Sequence, residues 1–215
     1  LAPMSKREKV TALLVAGTLL AIVAVIVVVA RSGGGDTIPT LVKEGNLSKP
    51  TQVLEQGEPA TVEMKTTEGN FTIVLDTERA SVTANNFAYL TEEGFYDGLG
   101  FHRIVPDFVI QGGDPLGDGT GDPGYKVVEA PPEDLKYDVG VVAMAKSGSE
   151  AAGTSGSQFY VVIGDSGLPP VYALVGRVSE GMDVVQKIGT FGDPASPEGE
   201  PSKEVVIQQA TLEKG

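Results

Sequence analysis

The sequence predicts a mainly β protein, a closed barrel with capped ends, preceded by one transmembrane helix. Three observations carry this. From Ala60 onward the chain is a series of short β-branched and aromatic runs, broken by Gly, Pro and Asp clusters and interrupted by only two stretches with helical spacing. Residues 10–30 form an apolar run without a charge. At 215 residues with 41% apolar content, there is material for one full-sized domain plus accessory segments.

The 21 positions from Val10 to Ala30 (VTALLVAGTLLAIVAVIVVVA) match the roughly 30 Å hydrocarbon core at about 1.5 Å per helical residue. Their β-branched richness would favour a strand in water. Lipid favours the helix, because each backbone amide there must be paired within the segment. Lys6, Arg7 and Lys9 precede the run and Arg31 follows it. The positive-inside rule therefore keeps residues 1–9 cytoplasmic and sends the rest outward as a single-pass, extracytoplasmic protein. A cleaved signal peptide ending at Val28-Val29-Ala30 is the competing reading, giving a secreted protein, although signal cores run only about 7–15 residues. Met4 is read as the natural start. Residues 31–59, with Gly33-Gly34-Gly35 and several prolines, have the composition of a flexible linker. The folded domain is expected over 60–215.

Within it, Thr61–Thr66 and Asn70–Asp76 read as a hairpin around Glu68-Gly69. Ala80–Glu93 places Val82, Phe87 and Leu90 at helical spacing and stops at Gly94, a C′ glycine. Gly181–Ile188 is a second, shorter helix. Gly140–Ala145, Ser157–Ile163, Tyr172–Val178 and Val205–Leu212 read as strands.

Composition removes several chemistries. Without cysteine there is no disulfide, no thiolate metal site and no Cys nucleophile. The net charge is −13; setting aside the four cations around the apolar run and Glu8 leaves 12 basic and 28 acidic residues. Such a surface repels phosphate backbones, so nucleic acid is not an expected partner. Asp114, Asp118 and Asp122 lack the spacing and closing glutamate of a calcium loop. No metal or other cofactor is called for. The one histidine, His102, adjoins Arg103 in an expected strand, so their side chains point to opposite faces. His102 reads as a structural residue, and no Ser-His pair for hydrolysis is available.

Arg103, within Phe101-His-Arg-Ile-Val-Pro-Asp-Phe-Val-Ile-Gln-Gly-Gly-Asp-Pro115, is a cation among apolar residues and needs a reason. In Ser157–Ile163, alternation puts Gln158, Tyr160 and Val162 on one face and Phe159, Val161 and Ile163 on the other. The first face could join Arg103, Phe108 and Gln111 in a groove for an uncharged peptide. Periodicity alone leaves Tyr160 and Phe108 equally compatible with groove wall and plain core.

Three blocks, FHRIVPDFVIQGGDP (101–115), MAKSGSEAAGTSGSQFYVVIGD (144–165) and YALVGRV (172–178), resemble in order and spacing the core blocks of cyclophilin-type peptidyl-prolyl cis-trans isomerases. The resemblance covers about Ala60 to Leu212. It implies an eight-stranded antiparallel barrel closed by two helices, with the active groove on its outer face, and a monomer acting on proline-containing polypeptides. Carried over by position, Arg103 and Gln111 become the catalytic pair. Phe108, Val109, Tyr160 and Leu168 form the proline pocket, with Gly119 in the loop beside it. Gln158 and Tyr160 continue the wall, and Tyr172 is a further substrate-binding residue. Ala145, Lys146 and Ser147 meet the residue before proline. The sequence departs from the family in Tyr160 for the frequent phenylalanine, Tyr172 for histidine and Gly167 for the tryptophan of cyclosporin-sensitive members, which implies no strong cyclosporin binding. Leu168-Pro-Pro-Val-Tyr172 resembles bacterial members. The implied activity is X-Pro isomerisation in exported or surface proteins; the alternative is a membrane-tethered proline-peptide binding or chaperone module without turnover.

Overall fold

The computed structural model describes residue 47 and residues 49–193, 195–196 and 198–215. The expected span at 10–30 and the linker up to residue 46 lie outside the described residues. Among those described, no helix is long and apolar enough to cross a membrane.

Eight strands form one curled antiparallel sheet: β1 (Ala60–Thr66), β2 (Gly69–Leu75), β3 (Arg103–Val105), β4 (Val109–Gly112), β6 (Val141–Met144), β8 (Phe159–Val162), β9 (Leu174–Glu180) and β10 (Ile207–Lys214). Their spatial order is β10-β1-β2-β9-β6-β8-β4-β3. A separate two-stranded ribbon pairs β5 (Val127–Val128) with β7 (Thr154–Ser155). The expected closed barrel is a half-barrel: no ladder joins the edge strands β3 and β10. Chain just ahead of each crosses the seam instead, with a bridge between Gly100 and Val206 and hydrogen bonds from Phe101 N to Val205 O and from Ile207 N to Leu99 O.

The expected hairpin is β1–β2, with Thr66 opposite Gly69. The first helix is α1 (Ser81–Glu92) and the second α2 (Met182–Gly189). The Glu129 carboxylate holds the start of α1, accepting from Val82 N at 3.1 Å, Thr83 N at 2.7 Å and the Thr83 hydroxyl at 2.7 Å. Gly94 takes φ 60° just past its end, the left-handed conformation expected of a C′ glycine. Phe87 and Leu90 are fully buried as their spacing predicts, but Val82 is 45% exposed. It occupies the first turn, where the inward face is filled by Thr83 and Ala84.

The packed unit begins before residue 60. Leu54 is buried, Val53 packs on the core, and the Asn85 amide accepts from Val53 N and Leu54 N while donating to Thr51 O. One polar side chain on α1 thus fastens a segment that composition assigns to the linker.

The concave face of the sheet and the two helices enclose a core that includes Phe71, Phe87, Tyr96, Phe101, Phe159, Val161 and Ile163. On the outer face lies a second apolar cluster containing Val109, Val141, Ala143, Tyr160, Val162 and Leu174. β6 and β8 are therefore buried on both faces. The split along β8 is the alternation expected from its sequence. The second cluster is the floor on which the site stands.

Candidate active site

Arg103 on β3 faces Gln111 across the β3–β4 ladder, and Gln111 faces Tyr160 across β4–β8. These three come together because adjacent antiparallel strands bring directly opposed side chains within reach on one face. The Gly112-Gly113 pair that follows Gln111 has separate uses. A side chain on Gly112 would press on the Phe101 ring, and Gly113 turns the chain at φ 79° directly over Ser157 O, leaving β4 at the point where the loop begins.

A relay of amides fixes the arginine. Arg103 Nη1 donates to Gln111 Oε1 at 3.4 Å, Gln111 Nε2 to Gln158 Oε1 at 3.0 Å, and Gln158 Nε2 to the carbonyls of Gly119 and Gly121 at 3.0 and 2.9 Å. The order of donors sets the orientation of both amides, since a guanidinium can only donate and a carbonyl only accept. The Arg103 guanidinium also lies 5.8 Å from the Phe108 ring centroid.

The carboxylates of the glycine-rich loop shape the loop itself. Asp114 accepts from Leu116 N and Gly119 N, Asp118 from Thr120 N and its hydroxyl, and Asp122 from Gly124 N. Among the described residues no group of three or more His, Asp or Glu could hold a metal ion.

Two adjoining cavities open on this face. One, of about 330 Å³, is lined by Arg103, Phe108, Val109, Gln111, Ala145, Lys146, Tyr160, Leu168 and Tyr172. The other, of about 430 Å³, shares Gln111, Ala145 and Lys146 and adds Gly119, Ser147 and Gln158. All twelve expected site residues thus line one or both. The second cavity also holds Asp122, Lys126 and Glu150, which the sequence reading missed. Lys126 directly precedes the two-residue strand β5, and Asp122 and Glu150 lie in the loops before β5 and β7, where no periodic signal exists. Tyr137 was missed as well: its hydroxyl donates to Tyr172 O at 2.6 Å and accepts from Tyr172 N at 3.0 Å, seating the cavity edge.

The Tyr160 hydroxyl is buried and has no hydrogen-bonding partner among the described residues. Burial, with the neighbouring Tyr137 and Tyr172 phenols, pushes its pKa far above the ordinary value, so it stays neutral. A buried hydroxyl without a partner costs about 1–3 kcal/mol. Tyr160→Phe is therefore expected to raise stability by about 1 kcal/mol while leaving the cavity wall in place. Chemical denaturation measures this; a loss of stability would show that the hydroxyl has a partner after all.

His102 lies half-buried just ahead of β3 and not within it, its Nε2 3.5 Å from Gln111 Nε2, on the amide that Arg103 also meets, while its buried Nδ1 has no partner among the described residues. Because Gln111 Nε2 is a donor, the facing His102 Nε2 acts as acceptor and the proton sits on Nδ1. Burial, aided by Arg103, lowers the His102 pKa from its ordinary 6.5 against the opposing pull of Asp114 and Asp118. The unfolded chain therefore takes up this proton at a higher pH than the folded one. The corresponding stability is complete above pH 6.5 and is lost as pH falls through the lower folded value. As His102 is the chain's only histidine, His102→Gln is expected to flatten the decline in denaturation midpoint between about pH 7 and 5. An unchanged slope would remove His102 as its source.

The site is thus an apolar pocket with a fixed guanidinium at its mouth and a polar annex. Comparison with known proteins agrees. The family described as cyclophilin type peptidyl-prolyl cis-trans isomerase/CLD matches residues 61–212. Peptidyl-prolyl cis-trans isomerase-like 1 of Neurospora crassa is 40% identical over 156 residues, covering 70% of this chain and 93% of that protein. Probable peptidyl-prolyl cis-trans isomerase B of Mycobacterium leprae is 38% identical over 175 residues, covering 73% of this chain. The chain spans 58% of the length of that relative. A crystal structure of a Cryptosporidium parvum cyclophilin type peptidyl-prolyl cis-trans isomerase superposes with a TM-score of 0.66 at 26% identity, covering 73% of this chain and 99% of that one. The same protein has also been solved in the presence of the dipeptide Ala-Pro. The chain belongs to the cyclophilin-type peptidyl-prolyl cis-trans isomerase family.

Proposed function

We propose that the protein accelerates cis–trans rotation about X-Pro bonds, with Arg103 as the catalytic cation and the apolar cavity as the seat of the proline ring. One observation carries the reading: the Arg103 guanidinium is held by Gln111 and Phe108 at the mouth of a largely apolar cavity with room for a proline ring, with no carboxylate in ion-pair contact among the described residues. The Ala-Pro structure of the Cryptosporidium relative supports a proline-containing ligand.

The chemistry suits the equipment. Rotation about the partial double bond faces a barrier of roughly 18–20 kcal/mol. Unaided, it takes tens to hundreds of seconds at an X-Pro bond. No bond is made or broken, so neither nucleophile nor cofactor is needed. As the amide twists, the prolyl nitrogen regains a lone pair. A guanidinium donating to that nitrogen stabilises the twisted state over both planar ones. Phe108, Val109, Tyr160 and Leu168 grip the ring while the preceding carbonyl swings. The test is to follow cis–trans relaxation of a proline peptide with the purified protein; no acceleration over the spontaneous rate ends the reading.

We also place the domain outside the cytoplasmic membrane, as a monomer held by residues 10–30, with exported or surface polypeptides as substrates. The uncharged length of that run and the cations on its N-terminal side support this. N-terminal sequencing of the protein from isolated membranes distinguishes the retained anchor from a secreted form starting near Arg31.

A further inference from the structure

Lys146 stands on the ridge common to the two cavities. Its ammonium donates to Ser147 O and Glu150 O at 3.1 Å each and lies 5.7 Å from the Tyr172 ring centroid. Two carbonyls and a ring fix where the charge sits without cancelling it. No carboxylate forms an ion pair with Lys146 among the described residues, whereas Lys65, Arg79, Lys126, Lys187, Lys203 and Lys214 are all so paired.

The nearest anions are committed elsewhere. Glu150 turns to Lys126 at 3.3 Å and accepts from Ser147 N at 2.6 Å; Asp122 faces the same Lys126 at 3.7 Å and accepts from Gly124 N. Against burial, which pushes its pKa up, the Ser147 amide and Lys126 hold the Glu150 carboxyl below its ordinary value, so it remains a paired anion at neutral pH. Arg103 and Lys146 are left as uncompensated cations in the first cavity, on a chain whose net charge is −13. A positive groove on an acidic protein needs a ligand that uses it.

We infer that Lys146 is a specificity residue selecting a carboxylate side chain, Asp or Glu, on the residue immediately before proline. The inference rests on the isomerase reading above. With the ring in the first cavity and its nitrogen at Arg103, the residue before proline lies on the side of Gln111, which bonds Arg103 and is common to both cavities; the chain there crosses the ridge of Gln111, Ala145 and Lys146, and that residue passes over the ammonium. A carboxylate there meets an unpaired cation whose position is already fixed. A lysine there is repelled by Lys146 and Arg103 together.

The test measures kcat/KM with the full chain on three peptides that differ only before proline, carrying Glu, Ala or Lys. The Glu peptide is expected to exceed the Lys peptide about fivefold at low salt, the size of a partly exposed charge interaction. The ratio should fall towards one near 1 M salt as screening sets in. Lys146→Met should cut the preference to the small part that Arg103 sustains and Lys146→Glu lower it further, while Lys136→Met, at an exposed lysine that lines neither cavity, should retain it. A ratio of one in the natural protein, or a ratio surviving Lys146→Met in full, overturns the inference while leaving isomerase activity standing. Failure to accelerate any of the three peptides overturns the isomerase reading and this inference with it.

Discussion

Arg103→Ala is expected to lower kcat/KM for a cis-proline peptide by roughly 10²–10³, the loss seen when one preorganised donor to a transition-state charge is removed. The effect should fall mainly on kcat, because the guanidinium interaction grows as the amide twists, whereas the ring pocket grips both planar forms alike. Arg103 is only half-buried. Its removal frees Gln111 Oε1, which solvent can satisfy, so the variant should remain folded with a stability within about 1 kcal/mol of the natural protein. Arg103→Lys is a sharper probe. It keeps the charge but loses the planar fork that donates to Gln111 while facing the substrate, and should remain at least about tenfold impaired. Protease-coupled or NMR exchange measurements of the isomerisation rate check both variants. Full activity in Arg103→Ala would move catalysis away from this residue.

How far the site was legible depends on which interactions leave a sequence pattern. Alternation along 157–163 separated Phe159, Val161 and Ile163 from Tyr160 and Val162 correctly, yet it left Tyr160 undecided between core and groove. The structure shows why: both faces of β8 are covered, and Tyr160 is 5% exposed while lining the cavity. Burial and site membership are not alternatives there, so no periodicity could separate them. The motif blocks supplied what alternation could not, placing Arg103, Gln111 and Gln158 on one wall. What stayed hidden were contacts between side chains and distant backbone. Gln158 binds carbonyls 37 and 39 residues away, and Asn85 clasps Val53 and Leu54 more than 30 residues away. A side-chain amide carries no mark of which main-chain group it will meet. Composition therefore read 31–59 as linker, although Thr51, Val53 and Leu54 are bound to Asn85 of α1. The seam was obscured for a related reason, since a single bridge between Gly100 and Val206 replaces the ladder that a closed barrel suggests.

Phe159→Ala is expected to cost about 3–5 kcal/mol of stability, the range for emptying a buried aromatic site. That is a large part of the roughly 5–15 kcal/mol by which a domain is stable. Phe159 is completely buried, and its ring meets Phe87, Tyr96 and Phe101 edge-on at centroid distances of 5.4, 5.5 and 6.1 Å. These rings come from α1, from the loop after it and from the segment leading into β3, so one side chain joins the helix, the seam and β8. Its chain neighbours, Gln158 and Tyr160, point the other way into the site. Tyr160 is held by backbone pairing on both sides of β8, to Gln111 on β4 and Ala143 on β6, and not by the Phe159 ring. Loss of the ring should therefore lower the denaturation midpoint, with the denaturant slope unchanged. Below the transition, kcat/KM of the folded fraction should stay within a few-fold of the natural value. A midpoint shift corresponding to less than about 1 kcal/mol would mean that the aromatic cluster closes over the gap. A collapse of activity in the folded state would mean that β8 transmits core packing to the groove, and that the two faces of this strand are not independent.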